Sequence, residues 1–437
     1  MSESLKTDLI WLLGGWRDRA GPLWRRLGDA IVALVDDGSL APATLLPPER
    51  SLAAALGVSR STTTSAYRFA REAGRLESRQ GSGTWTTSGT TGAGPAGSPA
   101  PQPTASAFGT LGRPVSGVID LSLAETRCDA YTRAALGGGV DLAWLVARVA
   151  GTGYQPQGLP ELRELVATHL AGVRAGAGPV SADDVLMTTG AQQAIALCAA
   201  ALAAPGATAL VEEASYPGAL EAFRRAGLRV LPVPADERGP DPSALADLVA
   251  RTRPALFYVV PVGNNPTGVV IPGERLDRLA ETLARSGVTV LEDRTAVPLA
   301  DPARVPAPLS ARLPGGSTVT IGSTSKAAWA GLRTGWAVAG PTTLRELLAA
   351  RVAGDLSSSL VSQALALAVL PHLADLAAAV RADVALSQRA LTAALTDQLP
   401  DWHAPEPPAG AWRWVRVPGD ARALARAAAA QGAPVTP

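Results

Sequence analysis

Of the 39 lysine and arginine residues in this chain, only Lys6 and Lys326 are lysines. Arginine serves nearly everywhere a cation is wanted, so an interior lysine points to a task that a guanidinium cannot perform, namely losing a proton. Lys326 lies in GSTSKAAWAGLRTGW, residues 322–336, directly after the strand-like STVTI. An amine presented at a strand end can condense with an aldehyde once desolvation and nearby cations lower its pKa. In the same stretch Ser323, Ser325 and Arg333 offer the hydroxyl and guanidinium hydrogen bonds that hold a phosphate dianion, and Gly331 and Gly335 let the backbone turn closely.

Three further groups precede it. In VLMTTGAQQAI, Gly190, Ala191 and Gln192 fall at the expected start of a helix, where free N–H groups and the helix dipole attract phosphate. NNPTG holds Asn264 and Asn265, the only asparagines in the chain, and the Asn265 amide can donate to a phenolate oxygen. VLEDR ends a strand on Asp293, whose carboxylate would pair with a protonated pyridine nitrogen. That last group separates pyridoxal 5'-phosphate from a plain phosphate ligand. Singly, each has a plain structural explanation: a helix start, a turn, a strand-end cap, a surface cation. The set in this order carries the chemistry.

The elements that must position these residues are legible too. Short apolar runs (ATALVE, ALFYVV, VTVLED, STVTIG) alternate with helical stretches such as LRELVATHL and GERLDRLAETLARSG, which predicts an α/β fold with a mostly parallel, doubly wound sheet. A helical segment at about 341–395 and a strand-like AWRWVRVP predict a smaller, shortened carboxy-terminal subdomain. Residues 88–118, rich in Gly, Pro, Ser and Thr without apolar periodicity, read as a flexible linker. It separates a unit at 1–87 from one at 119–437. Hydrophobic residues make up 47 %, yet no unbroken apolar run approaches the roughly 20 residues that span a bilayer, and the amino terminus lacks a signal-peptide pattern. A cytoplasmic protein without a membrane partner is expected. Cys128 and Cys198 lack metal-ligand spacing and read as ordinary thiols, so no metal is expected.

The net charge of +1 excludes a uniformly basic protein and leaves room for a local nucleic-acid face. In residues 46–87, Leu52, Ala55, Leu56 and Val58 would bury one helix face before Gly57 turns the chain into a second helix near Ser59. Its first turn would present Ser59, Arg60, Ser61, Thr62 and Thr64 outward, suited to phosphate and base-edge contacts. Five arginines against Glu72 and Glu77 between Val58 and Gln80 add a local positive excess.

The segment from Pro22 to Thr87 resembles the winged helix of the GntR regulators through PLWRRLGDAIVALVDDGSL, LPPER, LGVSR, AY and the wing RQGSGT. The resemblance implies DNA contacts at Arg50, Ser59, Arg60, Ser61, Thr62 and Thr64, with the wing at Gln80 and Gly81. Trp24 and Thr63 depart from the residues usual at their positions. Residues 118–420 resemble fold-type I aminotransferases. That likeness implies a Schiff base at Lys326, phosphate binding by Gly190, Ala191, Gln192, Ser323, Ser325 and Arg333, and Asn265 at the ring oxygen. It further implies that Tyr216 stacks on the ring and that Tyr154 reaches a partner's phosphate across a homodimer. Thr295 replaces a tyrosine common in the family, and no residue matches the usual carboxylate-clamping arginine, which leaves Arg416 unassigned.

Together the two likenesses resemble the MocR group of transcriptional regulators. They imply a DNA-binding regulator that senses pyridoxal phosphate or an amino compound through Lys326, with at most a half-transamination as chemistry. The alternative is an active aminotransferase with an appended DNA-binding domain.

Overall fold

The computed structural model describes residues 9, 13, 16–18, 21–36, 40, 44–79, 83–87, 119–121, 130–137, 142–149, 151–170, 174–175, 178–313 and 315–436. Gln80, Gly81, the 88–118 segment and Cys128 lie outside them. The chain divides into two units, residues 1–111 and 112–437.

The first unit runs α1 (Leu23–Asp36), β1 (Leu45–Leu46), α2 (Glu49–Leu56), α3 (Arg60–Glu72), β2 (Leu76–Arg79) and β3 (Gly83–Thr86). Its strands form an antiparallel sheet in the order β1-β3-β2. The two helices expected around Gly57 are present, and β1 is a two-residue pairing too short to show alternation in sequence. Gly57 ends α2 at φ 62, and the Ser59 side chain caps α3 by accepting from the Thr62 N–H. Leu52, Ala53 and Leu56 are the buried residues of α2. Ala55 and Val58, expected there, are only half-buried, because at about 100° per residue positions 52, 53 and 56 fan over one side and 55 falls at its edge. A Cβ on Gly28 would lie 2.6 Å from Phe69 Cδ1, so glycine lets α1 approach α3 closely. The core reaches upstream of the expected first helix: Leu9, Leu13 and Trp16 are buried with Leu27, Ile31 and Tyr67.

In the second unit α4 (Ala130–Gly137), α5 (Leu142–Val149) and α6 (Pro160–His169) precede the main sheet. Then follow β4 (Val185–Thr188), α7 (Ala191–Ala201), β5 (Thr208–Glu212), α8 (Pro217–Arg225), β6 (Arg229–Val233), α9 (Pro242–Thr252), β7 (Leu256–Val259), α10 (Gly273–Leu283), β8 (Thr289–Asp293), β9 (Thr318–Ser323) and β10 (Gly335–Val338). The carboxy-terminal helices are α11 (Pro341–Gly354), α12 (Leu360–Val369), α13 (Leu373–Gln398) and α14 (Ala421–Ala430). The seven-stranded sheet has the order β4-β10-β9-β8-β7-β5-β6. Only β10 runs against its neighbours, as the mostly parallel expectation requires. Val211, Tyr258, Leu291 and Val319 share a core cluster with residues of α7, α8 and α11, while the alternating Phe257, Val259 and Val290 are also buried. Burial on both faces explains why these strands read as continuous apolar runs.

Leu360–Gln398 is long and apolar enough by composition to cross a bilayer. It is two helices meeting around Pro371, and Ala366, Val369, Leu373 and Leu376 are buried in a core cluster with α6. The strand expected in AWRWVRVP is absent among the described residues, where a lone bridge joins His403 to Arg416. Arg413 holds the segment instead, donating to Gln388 Oε1 at 3.0 Å, the Ala404 carbonyl at 2.8 Å and Thr392 Oγ1 at 2.6 Å.

Candidate functional site

The loops leaving the carboxyl ends of β4, β5, β7 and β9 carry Gly190, Tyr216, Asn265 and Lys326 respectively, and Asp293 is the last residue of β8. In an open α/β sheet this is the edge at which ligands bind. Gly190 sits at φ 103 as the amino-terminal cap of α7. The backbone N–H groups of Gly190, Ala191 and Gln192 have no acceptor among the described residues, leaving three donors at a helix amino terminus. A Cβ on Gly335 would lie 2.7 Å from both C and Cα of Gly190, so only glycine lets β10 pass behind this turn. Arg333 reaches the turn from the other side, donating through Nη2 to the Thr189 carbonyl at 2.6 Å. Ser323 Oγ lies 3.1 Å from both the Thr334 carbonyl and Ser325 Oγ, and its one proton can be given to either.

Asp293 is buried at the end of β8, where Oδ1 accepts from the Thr295 N–H and Oδ2 from the Tyr258 hydroxyl, each at 2.8 Å. Burial first, and then the charge of Asp293, raise the Tyr258 pKa well above the usual phenol value, so this hydroxyl keeps its proton and donates it to the carboxylate. Tyr216 is pushed up to about 12, chiefly by burial and then by Asp293, with Arg333 opposing. Its ring lies against Gly218, where an added Cβ would sit 2.6 Å from Cε1 and Cζ and 2.3 Å from Gln192 Oε1. Gly218 thus lets the Tyr216 ring and the Gln192 amide share one place. Lys326 Nζ stands 5.4 Å from the centroid of the Trp412 ring, a cation–π contact. Trp412 Nε1 donates to the Asn264 carbonyl beside Asn265.

Gly190, Ala191, Gln192, Tyr216, Asp293, Ser323, Ser325 and Arg333 are therefore linked through direct bonds, shared neighbours or mutual electrostatics. Asn265 is half-buried and follows Asn264, whose Nδ2 donates to the Ala214 carbonyl at 3.2 Å. Tyr154 stands apart, 57 % exposed. Arg416 lies at the surface, 3.8 Å from Glu237. In the first unit Arg50, Ser59, Arg60 and Ser61 are exposed. Thr64 is a correction to the outward-facing set: its hydroxyl turns back to Glu49 Oε2 at 2.7 Å. Ser59 Oγ lies 2.8 Å from both Ser61 Oγ and Thr62 Oγ1, which orders the first turn of α3. Thr63 is buried with its hydroxyl satisfied by the Glu49 and Arg60 carbonyls.

Sequence reasoning missed Tyr258, Trp412 and Glu212. Glu212 ends β5 fully buried, its Oε2 accepting from the Val260 N–H at 2.7 Å. Burial, opposed by the hydrogen bonds from Val260 and Asn264 and reinforced by Asp293, raises its pKa to about 8. The folded state therefore binds this proton more tightly than the unfolded chain. The associated stability is complete below the ordinary carboxyl value near 4.5 and is lost as pH rises towards 8. Urea unfolding of the full chain between roughly pH 5 and 9 should show this decline, and Glu212→Gln should flatten it by an amount of the order of a few kcal/mol. Cys198 is a buried thiol pushed up to about 12 by desolvation, as an ordinary core cysteine should be.

Residues 143–437 match the family Aminotransferase class I and II, and residues 23–85 match the gntR family of bacterial regulatory proteins. The helix-turn-helix transcriptional regulator YisV of Bacillus subtilis is 30% identical over 360 residues, covering 78% of this chain and 72% of its own. This chain belongs to the MocR group, the gntR–aminotransferase regulators. The rhizopine catabolism regulatory protein MocR of Rhizobium meliloti, so named as probable, is 29% identical over 63% of this chain and 57% of its own length. Among solved structures, the alpha-aminoadipate aminotransferase LysN of Thermus thermophilus, complexed with N-(5'-phosphopyridoxyl)-L-leucine, has a TM-score of 0.64 at 28% identity, covering 73% of this chain and 82% of that one. Several transaminase relatives are matched over about half of their own length.

Pyridoxal phosphate is the cofactor of the aminotransferase domain in this group. The residues present fit it. Besides the three open N–H groups of the α7 turn, Gln192 Oε1, Ser215 Oγ and Thr295 Oγ1 are buried side-chain atoms without a hydrogen-bond partner, and such atoms call for a ligand or water.

Proposed function

We propose that this chain is a cytoplasmic, homodimeric regulator whose aminotransferase-like unit reads pyridoxal phosphate or an amino compound and alters DNA affinity accordingly. The observation carrying this reading is that one chain joins a gntR domain to an amine, a carboxylate and an open phosphate turn at the ligand-binding edge of the second unit. When bound, pyridoxal phosphate supplies an aldehyde for amines and an electron-withdrawing ring. Lys326 would offer the amine; Gly190, Ala191 and Gln192 with Ser323, Ser325 and Arg333 would hold the phosphate. Asp293, kept as an acceptor by Tyr258 and Thr295, would face the ring nitrogen, Asn265 would donate to the ring oxygen, and Tyr216 would stack on the ring. The exposure of Tyr154 supports a role towards a partner subunit. On the first unit Arg50, Arg60 and the hydroxyls of Ser59, Ser61 and Thr62 would meet DNA, and the wing residues Gln80 and Gly81 would add to the contact. A ligand regulates only if it binds the two states of the protein unequally.

The test is the affinity of the full chain for duplexes it selects from a random pool, titrated with pyridoxal phosphate and then with amino compounds. A shift in DNA affinity is expected, and none with any amine would overturn the sensing role. In the same assay Arg60→Ala should weaken binding by about 1–3 kcal/mol. Unchanged affinity would remove Arg60 from the interface. Repeated transamination turnover would instead favour the enzyme reading.

A further inference from the structure

A chain of polar contacts leads from the buried core to the phosphate turn. Arg351, on α11, is fully buried, with Nη1 donating to the Met187 carbonyl at 2.8 Å and Nη2 to Ser358 Oγ at 2.8 Å. Its Nε pairs with Asp355 Oδ1. The other oxygen of Asp355 accepts from Gln193 Nε2 at 2.6 Å, and Gln193 Oε1 accepts from the Thr189 N–H at 2.8 Å. The Thr189 carbonyl is held from the opposite side by Arg333. Both backbone polar groups of the residue preceding Gly190 are thus fixed.

The order of these contacts is chemically determined. A carboxylate only accepts, so Asp355 must receive the NH₂ end of Gln193 and thereby leaves the amide oxygen for Thr189. Arg351 cannot drift, because it is enclosed in the core and bonded to the end of β4. Leu356, the residue after Asp355, sits at φ 63, in the left-handed region that a leucine ordinarily avoids. Such a conformation persists where its surroundings over-determine it, and here it accompanies the turn that aims Asp355 at Gln193.

We propose that Arg351, Asp355 and Gln193 form a positioning relay that sets the affinity of the Thr189–Gln192 turn for a phosphate group without touching the ligand. The proposal rests on reading that turn as the phosphate site. Gln193 and Asp355 lie behind the turn, and their contribution is to keep its N–H groups preorganised.

The experiment measures equilibrium binding of pyridoxal phosphate and of pyridoxal, which lacks the phosphate, to the full-length wild type, Gln193→Ala and Asp355→Asn. Both variants should lose about tenfold in affinity for pyridoxal phosphate, the worth of one well-placed hydrogen bond, and keep wild-type affinity for pyridoxal. The double variant should be no weaker than Gln193→Ala alone, since the relay is already broken there. Gln193 is half-exposed on a helix, so its alanine variant is expected to fold, and the unfolding midpoint without ligand should match the wild type. Equal losses for both ligands, or unchanged affinity for pyridoxal phosphate, would overturn the relay. A wild type that binds pyridoxal as tightly as pyridoxal phosphate would instead fail the phosphate-site reading and the relay with it.

Discussion

Lys326→Ala is expected to abolish the visible absorbance that the full chain acquires on mixing with pyridoxal phosphate, and to leave DNA binding intact but unresponsive to amines. The amine is the group at this edge whose chemistry suits condensation with an aldehyde, and arginine cannot substitute because its guanidinium stays charged. Lys326→Arg sharpens the test. It keeps a cation near the Trp412 ring, now 5.4 Å from Nζ, yet should lack the visible band just as the alanine variant does. Retention of the band in either variant would show that another amine reacts. A wild type that shows no band after exhaustive reconstitution would remove the cofactor from the sensing role.

Gly335→Ala should have the largest effect on stability. The added methyl would fall 2.7 Å from two backbone atoms of Gly190 and 2.8 Å from the Gly322 carbonyl. None of these atoms can rotate aside, since Gly335 pairs with Thr188 on one side and Ser323 on the other in the sheet. The strands must separate, at a cost of about 3 kcal/mol or more, and the turn before α7, proposed to hold the phosphate, is displaced with them. Urea unfolding measures the first consequence and pyridoxal phosphate affinity the second. Gly137→Ala, at the end of α4 where a Cβ meets nothing within 4 Å, is the matched control and should change stability little. Equal behaviour of the two variants would show that the close approach of β10 to Gly190 is not required.

Residues whose chemistry depends on type and on a short local pattern were legible before any fold was known. Lys326 stood out by its rarity, Asp293 by ending a strand, Gly190 by preceding a helix, and the α2–Gly57–α3 turn by its punctuation. Such features are set within a few residues, by backbone conformation at strand and helix ends. Other members of the site answer to longer distances. Tyr258 looked like one more apolar strand residue, and it meets Asp293, 35 residues on, because parallel pairing sets Tyr258 beside Leu291 and so brings Asp293 within reach on the same face. Trp412 reaches Lys326 only through the packing of the carboxy-terminal segment, whose expected strand gave way to a single bridge and the bonds of Arg413.

The sequence by itself determined which lysine is the candidate for amine chemistry, the alternation of strands and helices, and the presence of a DNA-binding unit, because each is written in residue types at short spacing. The tertiary structure decided which carboxylate Tyr258 and Thr295 hold, which glycine has no room for a side chain and which buried arginine pairs with Asp355. These depend on sheet register and on desolvation, and neither exists until segments distant in the chain are packed together.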